Sequence, residues 1–190
     1  MELLLGIFTA FGLSASAGLN AYIPLLVVGV IAHYFPKTLN LAAPFDLLAN
    51  PWILILLGIL VIIEMIADKV PAVNHINDLI QTIIRPVAGA IAFAASANVI
   101  TEINPVLALA CGLLVAGSVH TVKAAAVRPA VTATTAGAGN LPVSIAEDII
   151  ATITSILAIL IPLIAGTLFI ITLVLVLWWW ASRKPKAQSA

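Results

Sequence analysis

The chain has 190 residues, of which 63% are apolar and only 8% charged. A water-soluble domain carries about a quarter charged residues, so this composition can wet only a small surface and must present the rest to lipid. Eight basic and eight acidic residues cancel, which gives no basis for a nucleic-acid partner, and the single Cys111 excludes an intramolecular disulfide.

Residues 1–21 are apolar with small residues at Ala15, Ser16 and Ala17, as in a signal peptide. Glu2 is their one ionic side chain, and apolar character resumes after Asn20, so the stretch is expected to be a retained membrane segment. The pattern predicts an all-α, polytopic membrane bundle of about six crossings. The first covers residues 3–33 and is interrupted by the small, polar stretch 14–20. The others are Pro51–Ala67, residues 87–100, Pro105–Val122, residues 145–161 and residues 162–181. Several are shorter than the roughly 20 residues needed to cross hydrocarbon.

Residues 73–84 place Ile76, Ile80, Ile83 and Ile84 at helical spacing, with Asn77, Asp78, Gln81 and Thr82 elsewhere. That predicts an amphipathic helix that lies on the membrane surface or feeds into the third crossing through a kink at Arg85-Pro86, extending that crossing backwards. Residues 1–182 form one transmembrane domain, and 183–190 form a tail. With the amino terminus inside, Lys69, Arg85, Lys123, Arg128, Arg183, Lys184 and Lys186 all fall inside and only Lys37 outside. This follows the positive-inside tendency, with Trp178 to Trp180 as an interfacial belt. A re-entrant first segment would reverse the amino terminus. The halves also share a faint likeness, AGLN at 17–20 against AGSVH at 116–120, as two inverted three-helix repeats would.

An ionisable group at the centre of a membrane helix costs about 3 kcal/mol, so such groups are the candidates for a site. Glu64 and Asp68 lie one turn apart on one face and repel unless a cation or proton joins them. Lys69, Arg85, Lys123 and Arg128 fall on the same side as partners. His120 shares a face with Lys123, and Glu147 and Asp148 open the fifth crossing, where carboxylates suit a helix N-terminus. The break, with Asn20, Tyr22 and Pro24, offers free carbonyls and N–H groups to a solute or ion. Its alternative is close packing through the small-xxx-small pairs Gly12/Ser16 and Ser14/Gly18. For the charged residues the alternative is structural pairing or snorkelling. His33 and His75 suit the interface. Residues 134–142 are a flap or a connector and lack the lysine of a phosphate loop. No metal-ligand pattern and no nucleophile-base pair is legible, and no cofactor is implied.

The motifs GLNAY (18–22), ADKVP (67–71), IRP (84–86), AVRPA (126–130) and AED (146–148) occur in order along most of the chain. In these the chain resembles domain-of-unknown-function family 4126, small bacterial multi-helix membrane proteins. The resemblance implies a bacterial inner-membrane bundle, whose two termini the basic residues place in the cytoplasm, and it adds no activity. Three functions stay open. A small-solute or ion permease, acting alone or as a homo-oligomer, leads. A non-catalytic subunit or assembly factor with a partner membrane protein follows, then a membrane-lipid headgroup enzyme or carrier.

Overall fold

Prolines and asparagines punctuate the chain, and helices begin where they stand. In the computed structural model, which describes residues 2–69, 71–100 and 104–182, Asn50 Oδ1 accepts from the Trp52 N–H and Asn104 Oδ1 from the Val106 N–H, both at 2.9 Å. Each cap stands just before a proline, whose missing N–H costs nothing at the first helical position. The order is α1 (Glu2–Leu19), α2 (Tyr22–Tyr34), a 3-10 turn (Phe45–Ala49), α3 (Pro51–Ala67) and α4 (Pro71–Ile100). Then come α5 (Pro105–Val122), a π turn (Lys123–Val127), α6 (Arg128–Thr135), α7 (Asn140–Leu160) and α8 (Pro162–Ser182). No strand occurs among the described residues.

Three stretches are long and apolar enough to cross a membrane: Leu79–Ser96 within α4, Pro105–Thr135 through α5 and α6, and Asn140–Leu160. Shorter apolar helices accompany them at Leu5–Leu19, Tyr22–Tyr34, Pro51–Ala67 and Ile170–Trp179.

The helices are inside out relative to a water-soluble bundle. On α3 the buried residues are Leu57 and Glu64, with Asp68 at its end, while Ile55, Ile59, Ile62, Ile63 and Ile66 are exposed. On α7 Ser144, Glu147, Asp148, Ala151, Ser155 and Ala158 are buried, while Ile145, Ile149, Ile150 and Ile153 are exposed. α4 buries Asn77, Gln81 and Arg85 and exposes Leu79, Ile80 and Ile83. Large apolar side chains face outward and polar or small ones inward, which is stable where the surrounding solvent is hydrocarbon.

α1 is the hub, packed against α4, α5, α7 and α8. Its neighbours approach closely because the contact residues are small. A Cβ at Gly112 would stand 2.6 Å from the Phe93 Cβ and 2.7 Å from the Ala90 Cα, and one at Gly18 would stand 2.6 Å from the Ala116 carbonyl oxygen. At these separations side-chain hydroxyls reach the next helix. Ser14 Oγ donates to the Gly112 carbonyl at 2.7 Å, Ser16 Oγ to Ala151 at 2.8 Å, and Thr9 Oγ1 to Ala158 at 2.8 Å.

Some of the expected boundaries are corrected. The stretch 14–20 does not interrupt the helix over its length: residues 14–19 are helical and packed, and the break narrows to Asn20 and Ala21. The expected first segment is therefore two helices. The expected amphipathic helix does feed into the third crossing, both lying in α4, which runs through Arg85-Pro86 without ending; Ile80 and Ile83 point outward, whereas Ile84 is half-buried against the core. The connector 134–142 shrinks to residues 136–139, because α6 runs to Thr135 and α7 starts at Asn140; Ala136 and Gly137 take positive φ of 50° and 90° there. The tail 183–190, with Arg183, Lys184 and Lys186, lies outside the described residues, as does the His75 side chain.

Candidate functional site

Among the described residues, the inward-facing charges of α3, α4 and α7 meet one another in the interior of the bundle, and the site grows from that meeting. The Arg85 and Glu64 side chains have no exposed surface. Arg85 donates from Nε and Nη2 to Glu64 Oε1 at 3.2 and 3.0 Å, and from Nη2 to Asp68 Oδ2 at 3.2 Å. Its Nη1 donates to His120 Nδ1 at 3.2 Å. An arginine has no acceptor to offer, so His120 Nδ1 is the bare nitrogen and Nε2–H faces Thr82 Oγ1 at 3.2 Å.

Lys123 and Arg128 both reach Asp68 and, beyond it, Glu147. Five positions apart on an α-helix, they would diverge by about 140°. They do not, because the chain between them is a π turn, in which the Arg128 N–H donates to the Lys123 carbonyl and i+5 comes back close to i. Pro129, with no N–H to offer Ala125, is the local cause of the loosened turn. Lys123 Nζ lies 2.8 Å from Glu147 Oε2 and 3.4 Å from Asp68 Oδ2, and Arg128 Nη2 lies 3.3 and 3.4 Å from the same atoms. Asn77 Nδ2 donates to Asp68 Oδ1 at 2.6 Å. Asp148 accepts from Asn20 Nδ2 at 3.0 Å and from Lys69 Nζ at 2.8 Å.

The break between α1 and α2 is wired into this network by both of its ends. Asn20 Oδ1 accepts from the Tyr22 and Ile23 N–H groups at 3.2 and 3.1 Å, capping α2. The Ala21 N–H donates to Glu64 Oε2 at 3.1 Å, so a carboxylate sits on the positive end of α2. Lys123 Nζ donates to the Leu19 carbonyl at 3.1 Å, so an ammonium sits on the negative end of α1. Three carboxylates (Glu64, Asp68, Glu147) thus meet three cations (Arg85, Lys123, Arg128) in one chain of contacts, and the Lys69–Asp148 pair stands beside it, joined to the break through Asn20; these eight are half of the charged side chains in the sequence and carry no net charge.

Of the residues singled out from sequence, Asn20, Glu64, Asp68, Lys69, Arg85, His120, Lys123, Arg128, Glu147 and Asp148 all enter this network through their side chains. Tyr22 enters through its backbone N–H. The freed backbone groups at the break are engaged by the protein's own side chains. Sequence reasoning missed Asn77 and Thr82 as members. The spacing Asn77, Gln81, Arg85 at i, i+4 and i+8 was the available signal, since it puts three polar residues on one face of α4. Nothing in the sequence marked the π turn apart from Pro129.

The family profile described as "Domain of unknown function (DUF4126)" matches residues 7–182. No curated protein and no solved structure matches the chain.

Proposed function

The chain belongs to that family, which carries no activity with it, and from the site we propose an inner-membrane permease for a small solute or ion. The observation that carries the proposal is the broken helix. The α2 N-terminus and the α1 C-terminus, two residues apart, hold a carboxylate from Glu64 and an ammonium from Lys123. Broken helices in transporters bind anionic groups at the first kind of end and cations at the second. A solute bearing a carboxylate, an ammonium or both can replace these side chains one for one. Glu64 or Asp68 then carries the coupling proton or cation, and Arg85, Lys123 and Arg128 hold the displaced acids. The present arrangement is the closed, self-occupied form.

Energetics support a switching role. A buried ion pair is about neutral in stability against well-packed apolar residues, or worse by about 1–4 kcal/mol, so the seven buried charges of the network are a poor scaffold unless they are exchanged. Two buried acceptors, Gln81 Oε1 and Ser144 Oγ, lack a hydrogen-bond partner among the described residues. They lie one turn before Arg85 and Glu147, where water can enter the network.

In this scheme the chain makes six crossings with both termini in the cytoplasm, and the charged end of the bundle faces the cytoplasm, in keeping with the positive-inside tendency. The close approach of Gly18 to Ala116 and Val119 brings the two motifs of the halves together, as inverted repeats would. The short α2 (13 residues) favours a second reading, a subunit shielded by a homo-oligomer or partner membrane protein. Co-purification at fixed stoichiometry tests that alternative.

The experiment for the permease uses proteoliposomes loaded with a pH-sensitive dye and challenged with a panel of small carboxylates, amines, amino acids and inorganic ions. A solute-dependent change in lumen pH is expected for the wild type and is abolished by Glu64→Gln. A signal that survives Glu64→Gln removes the role given to Glu64, and a lumen silent to the whole panel contradicts transport.

A further inference from the structure

Outside the network, a groove of about 350 Å³ opens on the outer surface between α2, α3 and α7. Val61 and Met65 form one wall, Ile149 and Ile153 another, and Ile23 and Leu26 a third. Its one ionic lining residue is Asp148. Lys69 Nζ closes that end, donating to Asp148 Oδ2 at 2.8 Å and to the Met65 carbonyl at 2.9 Å. The Lys69 side chain is 25% exposed, whereas the other cations of the network are 0–7% exposed.

We propose that this groove binds one phospholipid with a primary-amine, zwitterionic headgroup, its acyl chain along the apolar walls and its headgroup on the Lys69–Asp148 pair. The proposal rests on membrane insertion and not on solute transport. Three observations identify the occupant. Ile149 and Ile153, at 53% and 52% exposure, leave the groove open on the outer, apolar face of the bundle, the face that membrane insertion turns to hydrocarbon. The walls are polarised along the bilayer normal: Val61, Met65 and Lys69 follow at i, i+4 and i+8, and α7 runs from Asp148 toward Ile153. From Lys69 to Val61 is about 12 Å along the helix, close to one leaflet of a hydrocarbon core about 30 Å thick.

Third, the charges at the closed end are complementary to a phosphoethanolamine group. Asp148 Oδ2 and the Met65 carbonyl already bind one primary ammonium, that of Lys69. A lipid ammonium brings three N–H donors to the same acceptors, and the partly exposed Lys69 turns its own to the phosphate. A choline headgroup has no N–H to donate. An anionic glycerol headgroup offers Lys69 a phosphate but meets the Asp148 carboxylate with like charge.

Native mass spectrometry of the full chain in detergent tests this. The protein is titrated with phosphatidylethanolamine, phosphatidylcholine and phosphatidylglycerol of identical acyl chains. One phosphatidylethanolamine per chain is expected, retained about tenfold more tightly than the other two, a difference of about 1.4 kcal/mol. Ile153→Trp, which fills the groove from an exposed position, weakens all three lipids, while Leu168→Trp on exposed α8 leaves them unchanged. Asp148→Asn erases the preference among headgroups. Lipid-free thermal unfolding checks that each variant is folded, and if Asp148→Asn is not, the headgroup series and Ile153→Trp decide. Equal retention of the three headgroups, a preference for phosphatidylglycerol, or undiminished binding by Ile153→Trp overturns the proposal.

Discussion

Arg85→Met is the most informative single change, because among the described residues Arg85 alone pairs with both Glu64 and Asp68. Glu64 accepts three N–H groups, of which Arg85 supplies Nε and Nη2 and Ala21 supplies the third. Removing Arg85 leaves Glu64 with the Ala21 N–H as its remaining donor in a site with no exposed surface. Asp68 loses one cation but keeps Asn77, Lys123 and Arg128. The damage therefore concentrates on Glu64, and breaking one side of a buried pair costs about 3–5 kcal/mol. Glu64→Gln in the same background removes the stranded charge while keeping an acceptor for Ala21. The double variant should thus be more stable than the sum of the singles by about 2 kcal/mol, within the range found for residues in one network. Reversible unfolding in mixed micelles, run as a full cycle at neutral pH, measures this. Additivity within about 0.5 kcal/mol, or a cost for Arg85→Met below that of an exposed pair at about 1 kcal/mol, would refute the direct pairing of these two side chains.

Asn20→Ala removes the cap of α2 and the donor to Asp148 together, and a loss of about 1–2 kcal/mol in the same unfolding assay is expected; no measurable loss would mean that the break is not held by Asn20. Gly112→Leu places a side chain where α4 already touches α5, and overpacking of about 1–3 kcal/mol or more should appear as lost thermal stability. Gly58→Leu, where a Cβ meets nothing within 4 Å, should be tolerated and serves as its control.

The sequence made the members of the site legible for a physical reason. Charge is expensive inside a membrane helix, so Glu64 between isoleucines and Asp68 one turn later stand out without any knowledge of the fold. The positive-inside count placed Lys69, Arg85, Lys123 and Arg128 together by the same logic, and all four meet in the network. What did not show was geometry that depends on neighbours. The small, polar stretch 14–20 allowed two readings, an interruption or close packing, and the structure takes the second over residues 14–19, where small side chains let α1 lie against α5 and α7. Pro86 lies inside α4, which continues past it while packing against α1 and α5. The convergence of Lys123 and Arg128 required a π turn, whose hydrogen-bond register is not encoded in any spacing of apolar residues.

The claim that the network opens is tested most directly by water access to the break. Tyr22→Cys, in a Cys111→Ala background, places one thiol beside the Ala21–Glu64 contact in sealed, oriented vesicles. A membrane-impermeant thiol reagent is then added from either side. If the protein alternates access around the broken helix, the thiol is expected to react from both faces, and Glu64→Gln should bias reaction to one of them. A thiol protected from both faces, with the fold intact, would mean a permanently dry ion network and would contradict the permease.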